Sequence, residues 1–410
     1  MVKKTDSNLI VGLDIGTSKV LAIVAEQNDE GKLEIIGVGH HPSKGLRRGV
    51  VADIESTVSS IQRAVEEAEL MAGCQIFSVY AGIAGAHINS FNSHGVVAIR
   101  DAEVRQDDVD RVIEAAQAMA IPKDQQILHV LPQDFIIDGQ DEVRQPLGMS
   151  GVRLESKVHI ITGAVSSAQN IIKCIKRCGL QVDDIILEQL ASSESVLTDD
   201  ERHLGVCMID IGGGTTDIAI FHGGTIKHTS VIPIAGDQVT NDIAIALQTP
   251  TQAAEDLKKK YGCALASQVG AAESVEAPSI GGKPSRKLSR YNLAEVIEPR
   301  MEEIFVLAQG ELRRSGFEEI VNSIVITGGS SKLENAVELA EEVFHMPVRL
   351  GLPKYEGSLS EVVLSPIFAT GTGLVKFGHK EQSSKKSKQL RSSKLSDVLS
   401  RMKSWFKGSF

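Results

Sequence analysis

Two rhythms of apolar residues take turns along this chain. Short apolar or alternating runs, bounded by glycine and polar residues, predict strands over 9–26 (a hairpin), 33–39, 76–81, 157–165, 183–187, 206–221 (a second hairpin), 227–234 and 320–326. Between them apolar residues recur three and four apart. Ile54, Val58, Ile61, Ala64, Val65, Ala68 and Leu70 follow that spacing and predict a helix over 54–72. The same spacing predicts helices over 168–178, 188–197, 237–247, 250–261, 293–314 and 366–377, and one that opens at 327 and runs to 344. Strands alternating with helices make an α/β protein. The helix over 188–197, rich in small residues, is expected to link two halves of the chain. The helix over 366–377 is expected to pack against it, with Gly371 and Gly373 serving either a hinge or close packing.

The pattern changes between 83 and 156. Alternating segments at 95–99 and 127–137 bracket one amphipathic helix over 107–120, as in a small inserted α/β unit, and 157–165 then returns to the first half. An insert that covers nothing essential usually recognises something, so a contact surface is expected there. The glycine- and base-rich stretch 40–49 reads as an exposed loop. The stretch 270–290, with its glycines, prolines and serines, reads as the least core-like segment.

The second hairpin carries the first chemical signal. Residues 208–221 read MIDIGGGTTDIAIF, an apolar strand ending in Asp210, three glycines, two threonines and a returning strand. A glycine turn without side chains lets backbone N–H groups close on an anion. A carboxylate beside a phosphate requires a cation between them, so Mg²⁺ is implied. The plainer reading is a tight β-turn of small residues. A second copy decides between them: residues 11–24 read VGLDIGTSKVLAIV, and Asp14-Ile15-Gly16 overlays Asp210-Ile211-Gly212. Two related lobes would each offer one phosphate turn to a ligand held between them. A third glycine turn, ITGGSSKL at 326–333, opens what reads as a helix, whose first N–H groups suit a ribose–phosphate ligand.

Composition narrows the classes. At 410 residues the chain exceeds a single core, and 42% hydrophobic with 23% charged residues is the make-up of a folded globular protein. A net charge of −10 argues against general nucleic-acid binding. The charge is uneven: from residue 380 onward nine Lys/Arg face only Glu381 and Asp397. Five scattered cysteines, with no metal-ligand spacing, read as reduced thiols in a cytoplasmic protein. Asp14 interrupts the short apolar run behind Lys3 and Lys4, so no secretory signal is expected, and no stretch approaches the length of a membrane span.

DIGTSK at Asp14, DIGGGTTD at Asp210, the linking helix from Glu188 and TGGSSKL at Thr327 resemble the actin/heat-shock-chaperone/sugar-kinase ATPase superfamily over about residues 9–377. Within it the chain is similar to the bacterial cell-division actin homologues of the FtsA family. The displaced insert, the segment LAEVIEPR at 293–300, and the basic tail carry that narrower resemblance. It implies an actin-like two-lobed fold. The first lobe takes 1–82 and 157–198 with the insert 83–156 between. The second lobe takes 199–235, a small subdomain 236–310, and 311–378, followed by a linker 379–393 and a terminal helix 394–410.

The resemblance also implies ATP and Mg²⁺. Asp14 and Asp210 would hold hydrated Mg²⁺, and Gly16, Thr17, Ser18, Gly213, Gly214 and Thr215 the phosphates. Lys19 would reach a phosphate, or be a strand-edge surface lysine. Glu255 and Lys258 would contact ribose and adenine, or form a solvated helix pair, and Gly236, Gly328, Gly329 and Ser330 would complete the nucleoside pocket. Glu188 stands where chaperone relatives position the hydrolytic water, although a capping role is equally open. The implied partners are FtsZ through its C-terminal peptide, further copies of the chain, anionic inner-membrane lipid, and other division proteins on the insert, with no nucleic acid. Arg286, Lys287, Arg290 and Arg300 are the candidates for an acidic FtsZ peptide, or are solvated loop charges. The implied place is the cytoplasmic face of the inner membrane. The alternative is another member of the superfamily, a pilus-assembly relative or a sugar-kinase-like enzyme.

The tail has a pattern of its own. Residues 379–394 hold almost no apolar side chains and read as a flexible linker. Beyond them Leu395, Val398, Leu399, Met402, Trp405 and Phe406 line one helix face, with Lys403 and Lys407 off its centre. This stripe, which holds the chain's only tryptophan, suits in-plane membrane binding; packing on the body or on a partner is the plainer reading.

Overall fold

Strand Leu9–Ile15 is buried from its second residue on, and Val206–Ile211 is buried throughout. Continuous apolar runs of this kind belong at the centre of a sheet covered on both faces, and each strand is the middle of one. A computed structural model describes residues 9–28, 31–282 and 284–383. The first lobe's sheet runs Gln181–Leu187, Ser78–Ile83, Leu9–Ile15, Lys19–Gln27, Leu33–Pro42. The second runs Val348–Leu350, Ser323–Thr327, Val206–Ile211, Thr216–His222, Thr225–Ile232. In both, the central strand pairs antiparallel with the strand after its glycine turn and parallel with the strand on its other side. The repeat seen in two short motifs is a duplication of topology.

In the first lobe, helices Ile54–Ala72 and Val165–Arg177 bury Ile61, Ala64, Ala168, Ile171 and Ile175 on one sheet face. On the other face lie the linking helix Glu188–Val196 and a helix over 369–383. These two cross closely: a Cβ on Gly373 would collide with the Ala191 carbonyl, and one on Gly371 would lie 2.7 Å from Leu21 Cδ2. The glycines therefore serve close packing. In the second lobe, Gly236–Ala246, Thr251–Tyr261, Ala336–Phe344 and the 26-residue helix Arg290–Ser315 share one core, with Phe305 edge-on to Phe344.

Several expectations need correction. The strand expected at 157–165 does not return to the first lobe. It is Arg153–Ala164, flanked in an inserted sheet by Asn89–Ala98 and Gln125–Ile137, with Gln140–Val143 at the far edge. The inserted unit therefore runs past 156. Its helix is Gln106–Gln117, seated over Gly95, where any Cβ would collide with the Val112 carbonyl. The third glycine turn does not open the α-helix. It forms a short 3₁₀ turn, Gly329–Lys332, and the helix starts only at Ala336, after Asn335 in a left-handed conformation. Within the stretch 270–290, Ser274–Ala277 and Arg286–Ser289 pair as a hairpin whose Val275 and Ala277 join the second-lobe core. In the stretch 40–49, Leu46 is buried.

The last helix runs into the expected linker as far as residue 383, with Lys380 paired to Glu194. Leu395, Val398, Leu399, Met402, Lys403, Trp405, Phe406 and Lys407 lie outside the described residues. Among the described residues no helix is long and apolar enough to cross a membrane. All five cysteines are free thiols, and Cys174, Cys207 and Cys263 are buried.

Candidate functional site

The two glycine turns have the same geometry. Gly16 N donates to the Lys19 carbonyl at 2.9 Å, and Gly212 N to the Thr215 carbonyl at 3.0 Å. Asp14 pairs across its hairpin with Leu21, and Asp210 with Asp217. The tips meet between the lobes. A Cβ on Gly213 would overlap Ser18 Oγ and one on Gly214 would overlap Thr17 Oγ1, so only glycine permits this approach. Ser18 Oγ donates to Asp237 Oδ1 at 3.2 Å, and Gly49 N donates to Thr17 Oγ1 at 3.0 Å.

The second turn is braced by the elements expected around a nucleoside. The Gly212 carbonyl accepts from Gly236 N at 3.1 Å and from Ser330 Oγ at 2.9 Å, and the Gly213 carbonyl accepts from Asp237 N at 2.8 Å. Lys258 is buried, donating to the Gly236 carbonyl at 2.9 Å and to Thr240 Oγ1 at 2.8 Å, and it pairs with Glu255 at 2.7 Å. Burial opposes ionisation of Glu255, but Lys258 and Thr240 outweigh it and lower its pKa. Gly328, at φ 86°, brings its backbone against Asp210. The structure thus brings Gly213, Gly214, Thr215, Gly236, Glu255, Lys258, Gly328 and Ser330 together, across the cleft from Gly16, Thr17 and Ser18.

Behind the turns lies a knot of carboxylates. Asp14, buried, takes Lys19 Nζ at 2.5 Å, which makes Lys19 an inward-facing partner. Asp210 accepts from Ser192 Oγ at 2.5 Å and from Thr370 Oγ1 at 3.4 Å. Asp217 Oδ2 accepts from Thr215 Oγ1 at 2.9 Å, while its buried Oδ1 has no partner. Burial raises the pKa of Asp210, and Asp14 adds to the shift. Burial and then Asp210 push Asp217 up to about 8. Glu188, at the start of the linking helix, is pushed well above the carboxylate range by desolvation and then by Asp14, Asp217 and Asp210, against Lys19.

Among the described residues, no group of three or more His, Cys, Asp or Glu is arranged to hold a metal directly. Hard oxygen donors with one unpartnered oxygen suit instead a hydrated divalent cation that meets them through its waters. Sequence reasoning missed Asp217, Ser192, Thr370 and Asp237 as parts of this site. Asp217 closes the DIGGGTTD motif, but Ser192 and Thr370 carry no local signal.

The basic candidates for a docked peptide lie elsewhere in the second lobe. Arg286 donates to the Leu247 carbonyl, and Lys287 sits opposite Glu276 in the hairpin. Arg290 is held by Glu273 at 2.7 Å, by Glu334, and by the Tyr261 carbonyl at 2.8 Å. Arg300 pairs with Asp242 at 2.6 Å and with Glu303. Arg290 and Arg300 are ten residues apart on one helix, about 15 Å at 1.5 Å per residue.

A family model described as cell division protein FtsA matches residues 207–373, and one described as the SHS2 domain inserted in FtsA matches residues 85–162. The chain is 60% identical to the cell division protein FtsA of Pseudomonas aeruginosa over the full length of both. It also resembles a chain of the PilM–PilN type IV pilus biogenesis complex, with TM-score 0.65 and 16% identity over 90% of this chain and 98% of that one. MreB5 of Spiroplasma citri, solved bound to ADP, matches with TM-score 0.53 and 16% identity over 92% of this chain and 99% of its own. The fold is the actin-like two-lobed fold, with an inserted domain in the first lobe.

Proposed function

The chain belongs to the FtsA family of cell-division proteins, and from that premise we propose that it binds Mg²⁺–ATP between its lobes, self-associates, and anchors the FtsZ ring to the cytoplasmic face of the inner membrane. The observation that carries the nucleotide part is the facing pair of glycine turns, Gly16–Ser18 against Gly213–Thr215, with Asp14 and Asp210 behind them. The ADP in the MreB5 neighbour supports the same ligand class.

In this reading the backbone N–H groups of both turns hold phosphate oxygens. Asp14, Asp210 and the unpartnered oxygen of Asp217 would meet the cation through its waters, and its charge would favour the ionised forms of Asp210 and Asp217. Lys19 holds Asp14. Lys258 keeps the first turn of Gly236–Ala246 in place, and Glu255 keeps Lys258 in place. Glu188 starts on the linking helix with its pKa well raised. In this reading the bound nucleotide sets an assembly state rather than being turned over quickly.

The acidic body and the basic end give the tail its task. The stripe of Leu395, Val398, Leu399, Met402, Trp405 and Phe406 supplies apolar insertion. Each Lys or Arg near an anionic surface adds about 1 kcal/mol. Arg286, Lys287, Arg290 and Arg300 are the surface offered to the acidic FtsZ peptide, and the insert is the surface offered to later division proteins.

Reconstitution tests the whole reading. Full-length protein with Mg²⁺–ATP on vesicles of anionic lipid is expected to form membrane-bound polymer that recruits FtsZ. Removing 393–410 is expected to abolish co-sedimentation with vesicles and leave ATP binding intact. Sedimentation that survives the truncation would sink the membrane role, and absence of bound nucleotide in the intact chain would sink the cleft assignment.

A further inference from the structure

The insert belongs to the first lobe in sequence, yet several of its side chains bond to the second. From Asn89–Ala98, Ser90 Oγ donates to the Thr229 carbonyl at 2.8 Å and Asn92 Nδ2 to the Lys227 carbonyl at 3.1 Å. From Gln125–Ile137, Gln133 Nε2 donates to the Ile226 carbonyl at 2.8 Å, and Asp134 pairs with Lys227 Nζ at 2.9 Å. His159, buried on Arg153–Ala164, stitches these together: Nδ1 is 2.7 Å from Asn92 Oδ1 and Nε2 is 3.0 Å from Thr229 Oγ1. Asn92 Oδ1 also accepts from Gln133 Nε2 at 3.2 Å, so Nδ1 carries the ring proton and Nε2 accepts from the Thr229 hydroxyl. A second anchor sits beyond the sheet, where Arg144 lies 2.7 Å from His203 Nε2 on helix Asp199–Leu204.

The contacted strand is one step from the nucleotide turn. Ile226, Lys227 and Thr229 lie on Thr225–Ile232, whose neighbour Thr216–His222 begins at that turn. Thr229 pairs with Ala219 and Val231 with Asp217, and Thr216 Oγ1 donates to the Ile234 carbonyl. Strands in such a ladder move together, because sliding one breaks every bond at once. The lobes are joined by Glu188–Val196 and the helix over 369–383, and the insert joins them beside the linking helix, whose Gln189 Nε2 donates to the Ser230 carbonyl of the same strand at 3.4 Å. When the second lobe shifts, the insert either follows Thr225–Ile232 or breaks the bonds that buried Gln133 and His159 make to it, which is costly.

We propose that the insert is a polar strap between the lobes, with His159 as its positioning residue, and that it follows the second lobe so that nucleotide state is expressed at the insert's outer surface. The inference rests on the nucleotide reading above. Burial, reinforced by His228, drops His159 to about 3, so the ring stays neutral at physiological pH and the strap is no pH switch. The surface that would carry the message includes the exposed side chains of Leu147 and Val152.

Hydrogen–deuterium exchange on the full-length protein, with and without saturating Mg²⁺–ATP, tests this. The expected result is altered exchange at both glycine turns, along Thr225–Ile232, and in the insert strands Asn89–Ala98 and Arg153–Ala164. Thr229→Val, which keeps the shape and removes the hydroxyl, is expected to preserve ATP binding and lose the response in the insert, while Thr229→Ser restores it. Protected turns beside an unresponsive insert overturn the strap and leave the nucleotide reading standing. Silence at the turns as well overturns both. A Thr229→Val insert that still responds like the wild type also overturns it.

Discussion

Asp217 carries a carboxyl that burial leaves with few partners for its charge. It is buried, one of its oxygens is unpartnered, and its pKa of about 8 stands far above the ordinary aspartate value of 3.8. Its sign follows from linkage. Between those two values the folded state holds a proton that the unfolded chain has released, so this group's contribution is full below about 4 and fades as pH rises through about 8. Thermal melts of the nucleotide-free protein should therefore show wild type losing stability relative to Asp217→Asn as pH rises from 6 to roughly 9, since Asn has no proton to lose. A constant difference across that range would mean that the carboxyl is already ionised. DIGGGTTD displays Asp217 to any reader of the sequence. Its isolation does not show there, because that depends on which side chains from elsewhere fail to reach it.

Among elements, the crossing of Glu188–Val196 with the helix over 369–383 is the tightest packing at the site. A Cβ at Gly373 has no room beside the Ala191 carbonyl. Overpacking of this kind costs roughly 1–3 kcal/mol, so Gly373→Ala should lower the urea midpoint accordingly. The same change at Gly310, where a Cβ would meet nothing, should not lower it. Equal midpoints for the two variants would contradict the crossing. Element types were largely legible from apolar spacing: the helix predicted over 54–72 is Ile54–Ala72. Partners were not. Leu154, Val158, Ile160 and Ile161 announce a buried strand, but burial alone cannot say which sheet takes it, and only the pairings with Asn89–Ala98 and Gln125–Ile137 decide that. Likewise the glycines of ITGGSSKL gave a turn, but the left-handed Asn335 separates it from the helix.

For the molecule as a whole, charge sorts the surfaces. Arg290 and Arg300 hold Glu273, Glu334 and Asp242, so reversing either disturbs internal ion pairs as well as any docking role. Lys287, exposed on the hairpin Ser274–Ala277/Arg286–Ser289, is the cleaner probe. Lys287→Glu should weaken binding of the FtsZ C-terminal peptide roughly 1.4- to fivefold, the size of one exposed ion pair at about 0.2–1 kcal/mol, and the loss should shrink with added salt. Calorimetric titration at two ionic strengths measures it. Unchanged affinity for both Lys287→Glu and Arg300→Glu would remove this face as the docking surface.

The sequence by itself determined the α/β class, the two related lobes, the paired glycine turns with Asp14 and Asp210, and the charge split between body and tail. Those features are local: a turn needs its own glycines, a strand end its own aspartate, and a helix its own spacing. The tertiary structure decided that Ser192 and Thr370 support Asp210, that Lys19 faces inward onto Asp14, and that the insert reaches across to Thr225–Ile232. Apart from Lys19 and Asp14, which share one hairpin, each of those contacts joins residues from separate elements or opposite lobes. Their partners are chosen by how the sheets stack, and no local pattern encodes that.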